Sequence, residues 1–167
     1  MFDTLQNFAE VGIAVAGFSG IAAALGTARG VASADSRRRF LLTLLETAGM
    51  VVLFSFVPQI LNEIALPGAN LWRTSAGLYA GAHAFHGILL FRRVRRFGIP
   101  KPDIPKSIVP IGLVVLVLQL LSAIFGSIEQ VRFVYLLALC WHTIAAATSF
   151  AGLLLSSLKQ DAVKPQV

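Results

Sequence analysis

The sequence predicts an all-α protein, a polytopic bundle of about five transmembrane helices with the amino terminus outside and the carboxyl terminus in the cytoplasm. Three observations predict it. Of 167 residues, 56% are hydrophobic and only 13% are charged, where soluble domains carry about 25% charged residues. The apolar residues gather into five runs of membrane-crossing length. The basic residues alternate strongly from one connection to the next. A soluble fold of this size could not hide so much apolar surface, because small domains leave much of their surface exposed. With a mean hydropathy of +0.77, the chain fits a bilayer as solvent.

A spanning helix needs about 20 mostly apolar residues. The runs lie at 8–28, 40–61, 74–91, 107–125 and 131–158. The first follows Asp3 and Glu10 with no Lys or Arg among the first ten residues. A signal peptide requires a positive leading region, so this run reads as a retained helix. Ala65-Leu66-Pro67-Gly68 marks a turn. Gly98, Pro100, Pro102 and Pro105 predict an extended connection, since proline disfavours helix in the residue before it. Residues 126–130 form a tight link. No soluble domain fits between the runs, so 1–167 reads as a single transmembrane domain. The one cysteine, Cys140, excludes a disulfide within these residues.

Orientation follows from charge, because Lys and Arg collect in cytoplasmic loops. The six non-membrane segments carry 0, 4, 1, 6, 1 and 2 basic residues in order, so twelve of the fourteen fall on one side. Arg29, Arg37, Arg38 and Arg39 make up the first cluster. Arg92, Arg93, Arg95, Arg96, Lys101 and Lys106 make up the second, and Lys159 and Lys164 lie in the tail. Trp72 and Tyr135 fall at the outer ends of their helices, where amphipathic rings prefer to sit. This pattern predicts a multi-pass protein of the cell (inner) membrane. Its net charge of +6 points to anionic lipid head groups at the cytoplasmic basic loops. Nucleic acid is not an expected partner.

Inside a bilayer, helices associate where small residues let backbones approach. Gly12, Ala16, Gly20 and Ala24 recur every four residues on the first helix, and Gly77 and Gly81 form a GxxxG pair on the third. With the alanines of the fifth, these stripes predict that helices one, three and five are central. Helix four, rich in Val and Leu, then faces lipid. One stripe, that of the first helix above all, is an alternative contact between copies.

Ionisable groups in the hydrocarbon are costly and each is a functional candidate. Glu46, His83 and His86 are the first such set, and His142 and Gln119 the second. At about 1.5 Å per residue, Glu46 lies about 9 Å from the cytoplasmic edge, with His86 and His83 at about 8 and 12 Å. These three share a depth band and predict a proton or cation site, with Glu46 paired to one of the histidines. The structural alternative is a carboxylate neutralised by a histidine or by Arg38 or Arg39 reaching inward. Two imidazoles and a carboxylate also make a possible metal set, so metal binding stays open. The same arithmetic offsets His142 from His83 by about 9 Å, a poor geometry for haem, and no cofactor is expected.

Gly17-Phe18-Ser19-Gly20 resembles the G-x-S-G nucleophile motif of rhomboid intramembrane serine proteases, and Leu71-Trp72-Arg73 is similar to that family's Trp-Arg pair. The resemblance implies a serine hydrolase acting through Ser19. Rhomboids have at least six helices, however, and their serine lies on a late helix followed by a histidine in a Gly-rich setting. Here the serine is on the first helix and no Gly-His-x-x-Gly follows, so Ser19 is expected to pack and the chain not to be an enzyme. The function expected is that of a small homo-oligomeric channel or transporter with a polar intramembrane site. The alternative is a non-catalytic membrane scaffold or accessory subunit.

Overall fold

A computed structural model describes residues 1–28, 34–64, 68–97 and 108–161. The turn at Ala65-Leu66-Pro67, the proline-rich connection with Lys101 and Lys106, and the tail with Lys164 lie outside the described residues. So do the side chains of Ala24, Arg37, Arg38, Arg39 and Lys159. Five helices make up the described chain, with no strand among these residues: α1 (Phe2–Ala28), α2 (Ala34–Glu63), α3 (Gly68–Phe97), α4 (Ile108–Phe125) and α5 (Ile128–Asp161). All but α4 run past the apolar segments that predicted them, because hydropathy marks a membrane crossing while backbone hydrogen bonding continues into polar turns. Two stretches, Leu41–Glu63 of α2 and Ile128–Gly152 of α5, are long and apolar enough to cross a membrane; Val109–Phe125 of α4 is apolar but shorter.

The helix ends have local causes. Asp3 sits in the first turn of α1, where a negative charge meets the positive end of the helix dipole. At α5, the Ser127 backbone N–H donates to Gln130 Oε1 at 2.9 Å and the Gln130 N–H donates to Ser127 Oγ at 3.3 Å. This is a reciprocal capping box, written in the sequence as S-x-x-Q. Between α4 and α5, the Gly126 N–H reaches the Ser122 carbonyl at 2.9 Å. A Cβ on Gly126 would stand 2.6 Å from that carbonyl oxygen, so only glycine makes the turn.

α5 is the centre and touches all four other helices. α1 lies against α2 and α5, and α3 lies between α2 and α4. This corrects the expectation that helices one, three and five are jointly central: α2 and α5 share the core and α1 flanks it. The core gathers Leu5 of α1, Val51 and Phe54 of α2, Leu71, Trp72 and Tyr79 of α3, Val115 of α4, and Val131, Tyr135 and Leu139 of α5. On α4, Gly112, Val115, Gln119 and Ser122 are buried at spacings of three and four, while Val109, Leu113, Val117, Leu120 and Ile124 are exposed. Helix four, expected only to face outward, thus also buries one face against α3 and α5.

The small-residue stripes divide. Gly12 is buried against α2, and a Cβ there would stand 2.9 Å from Val52 Cγ2 and 3.3 Å from the Ala48 carbonyl oxygen. Ala16 is half-buried and Gly20 exposed. Gly77 and Gly81 are both exposed, with open space where a Cβ would go. They do not pack this bundle, which corrects their expected role. The inward face of α3 is instead Trp72, Ala76, Tyr79 and His83, a row at helical spacing that leaves the glycines on the far side.

Candidate functional site

The same row of α3 builds the site. Trp72, Ala76, Tyr79, His83, His86 and Arg93 follow one another at spacings of four, three, four, three and seven residues. Residues so spaced stack along one helix face. From the Trp72 end to the Arg93 end, this face passes from aromatic to imidazole to guanidinium.

At the Arg93 end, Arg93 holds Glu46 of α2 with both arms of its fork. Its Nη1 donates to Oε2 at 3.0 Å and its Nη2 to Oε1 at 2.6 Å. Two parallel charge-assisted bonds are the strongest pairing a carboxylate finds in a protein. The hydrogen bond to Glu46 raises the Arg93 pKa above its already high ordinary value, against the opposing effect of burial, so Arg93 stays charged. His86 Nε2 approaches Glu46 Oε2 at 3.6 Å, within ion-pair range but too long for a hydrogen bond. Glu46 is thus neutralised by Arg93, and the imidazole nearest to it is that of His86 rather than His83.

His83 turns elsewhere. Its Nδ1 lies 2.8 Å from Gln119 Oε1 of α4. The amide oxygen only accepts, so His83 donates from Nδ1. Its ring meets that of His142 of α5 edge-on, with centroids 4.5 Å apart at 73°, and the His86 ring lies 6.4 Å from His142. The 9 Å offset expected between His83 and His142 is therefore wrong. Counting residues from the apolar edge of each helix places two helices on a common scale only if those edges are level, and the ring contact shows that the edges of α3 and α5 are not a common reference. The contact leaves no slot between the two rings for a macrocycle.

His142 Nδ1 lies 2.9 Å from the Ala138 carbonyl and 3.0 Å from the Tyr79 hydroxyl, which itself reaches Ala138 O at 3.2 Å. With the proton on His142 Nδ1, both groups donate to that carbonyl. With Nδ1 bare, the Tyr79 hydroxyl turns onto the ring. All three histidines of the chain thus meet Glu46, Arg93, Gln119 and Tyr79 in one seam between α2, α3, α4 and α5. Two buried donor or acceptor atoms, His86 Nε2 and Gln119 Nε2, have no hydrogen-bond partner. Buried polar atoms are nearly always paired, so this seam retains unused hydrogen-bonding capacity.

Among the described residues, no group of three or more His, Cys, Asp or Glu could hold a metal ion. The metal set weighed from sequence fails because His83 faces Gln119. Ser19 is fully buried, and its hydroxyl donates to the Val15 carbonyl one turn back at 2.5 Å, as a packing serine does. The two basic residues placed outside by charge counting have structural partners. Arg73 Nη2 donates to the Gly126 carbonyl at 3.1 Å, and Arg132 stands 5.2 Å over the Trp72 ring. Sequence reasoning missed Arg93 as the partner of Glu46, and Tyr79 altogether. The spacing of seven from His86 to Arg93 was the available signal. No family model, curated protein or solved structure matches this chain.

Proposed function

We propose that this is a multi-pass membrane protein of transport type whose histidine seam exchanges protons, or a proton-coupled cation, with the cytoplasm. The single observation that carries the reading is the convergence of every histidine in the chain with a carboxylate and with two polar atoms, His86 Nε2 and Gln119 Nε2, that lack a hydrogen-bond partner. Imidazole is the one side chain whose ordinary titration falls between pH 5 and 8. Polar groups at such depth are costly and persist where they carry a path or a proton. The exterior supports a bilayer setting, since large apolar residues such as Ile13, Leu53, Phe85, Leu113, Phe125 and Phe133 are exposed. In this reading the Arg93 end is cytoplasmic, Glu46 and His86 form the entrance, and His83 and His142 are the inner station. A bundle of five helices encloses little interior, so several copies assemble.

A second reading has its own observation. The two-armed Arg93–Glu46 pair and the doubly used Ala138 carbonyl are what a scaffold needs to lock α2, α3 and α5 together. The experiment separates the two at His86. Replacing Glu46 would strip Arg93 of its counter-charge and disturb folding in either case. His86→Gln keeps the polar volume and leaves the pair intact, but cannot titrate. Purified protein in liposomes with a pH-sensitive dye should show flux in the wild type and little in His86→Gln, with both equally folded. Equal flux in the two would remove the titrating site. No flux in the wild type over a panel of common cations would leave the scaffold.

A further inference from the structure

A proline inside a helix leaves a defect at a known place. Pro58 interrupts α2 and has no N–H, so the carbonyl of Phe54, four residues earlier, loses its helical donor. In hydrocarbon such a carbonyl must be satisfied by a neighbour. The neighbour is Tyr135 of α5, whose hydroxyl donates to Phe54 O. Pro58 and Tyr135 are both fully buried, so the repair takes place in the core.

The same turn of α2 is held from α3. The Phe54 ring stacks on Tyr79, with centroids 4.4 Å apart and planes 8° apart. Tyr79 meets Tyr135 edge-on at 5.4 Å, and Tyr135 meets Trp72 edge-on at 5.9 Å. Tyr79 then hydrogen-bonds His142 at 3.0 Å. The weakest turn of α2 is thus two contacts from the histidines. These aromatic rings lie on the side of the histidines away from Arg93, where a path from the seam to the outer face would have to run.

We propose that Pro58 is the hinge and Tyr135 the latch of an outward gate over the histidine seam. Closed, the Phe54, Tyr79 and Tyr135 rings block the outer side. Open, α2 bends at the turn between Phe54 and Pro58, lifts Phe54 from Tyr79, and exposes the Tyr79–His142 pair outward. Water that enters then satisfies both the Phe54 carbonyl and the Tyr135 hydroxyl, so neither is stranded in the open state. Phenylalanine at 135 would fill the space but not hold the latch. Alanine at 58 would restore the N–H and make the latch redundant. The gate rests on the transport reading; the hinge and latch do not.

The test is a double-mutant cycle of wild type, Tyr135→Phe, Pro58→Ala and the pair, as full-length protein in lipid nanodiscs, read by hydrogen–deuterium exchange across residues 54–63. Losing one buried hydrogen bond should raise exchange by about tenfold in Tyr135→Phe and by less than about twofold when Pro58→Ala is also present. If Tyr135→Phe is recoverable from membranes only together with Pro58→Ala, that rescue is the same coupling. Equal acceleration in both backgrounds, or none, overturns the hinge and latch. The same proteins in liposomes report on the site: Pro58→Ala should lower flux by stiffening α2. Coupling without wild-type flux overturns the transport reading and the gate that rests on it but leaves the hinge and latch, while flux without coupling overturns hinge, latch and gate but leaves the transport reading.

Discussion

At the scale of single residues, charge position and charge reach are different things. Glu46 stands out in the sequence as a carboxylate within an apolar run, and its side chain does approach His86, at 3.6 Å. Its main partner was not found because Arg93 falls in a basic cluster that reads as solvated. An arginine stem is long enough to span more than one helical turn, so its head group and its Cα can belong to different environments. The pairing gives Arg93 a specific role in the fold. Arg93→Gln leaves a half-buried carboxylate with only a distant imidazole and should destabilise the fold by about 1–3 kcal/mol. Arg92, exposed on the same helix, should tolerate Gln within about 0.5 kcal/mol. Thermal unfolding of the purified proteins in detergent distinguishes them. Equal losses would mean that the pair contributes no more than the general charge of the cluster.

At the scale of elements, the sequence identifies five helices but not which way each one faces. The outward bias of α4 is read from its Val and Leu content; its buried face is missed, though Gly112, Gln119 and Ser122, at spacings of seven and three, mark it. Helix three was not legible by the same rule. Its GxxxG pair suggested a packing face, yet the row from Trp72 to Arg93 on another side is what turns inward. Both rows have helical spacing, and only the contacts of the large rings decide between them. Stacking and edge contacts of Trp72, Tyr79 and His83 bury far more surface than two glycines can. On α1 there is no such rival row, and Gly12 does pack. Gly12→Leu should therefore force α1 away from Val52 and Ala48 of α2, at about 1–3 kcal/mol or more. Gly81→Leu, pointing into open space, should leave the folded monomer unchanged. Circular-dichroism melts in detergent check both, and a large loss in Gly81→Leu would place the α3 glycines in the fold after all.

At the scale of the whole molecule, the proposed topology rests on an odd number of crossings combined with charge asymmetry. Hydropathy and length alone pick out α2 and α5. α3 is not among them, because the polar face that carries His83 and His86 dilutes its apolar content. Charge supplies the missing constraint. The two basic residues that violate a perfect alternation, Arg73 and Arg132, are held at the Trp72 end by the Gly126 carbonyl and by the Trp72 ring, so each has a local reason to be there. The clusters at 29–39 and 92–106 follow the positive-inside preference. In the proposed topology, five crossings would put the two termini on opposite sides, and the clusters at 29–39 and 92–106 would put the carboxyl terminus inside. Reporter fusions should then be active in the cytoplasm after Lys106 and after Lys164, and outside after Asn70. If α3 instead lay along the surface, the chain would cross four times, and the fusion after Lys164 would report on the same side as the amino terminus. That result would also take Glu46 and His86 out of any cytoplasmic entrance, because α2 and α3 would no longer share a membrane depth.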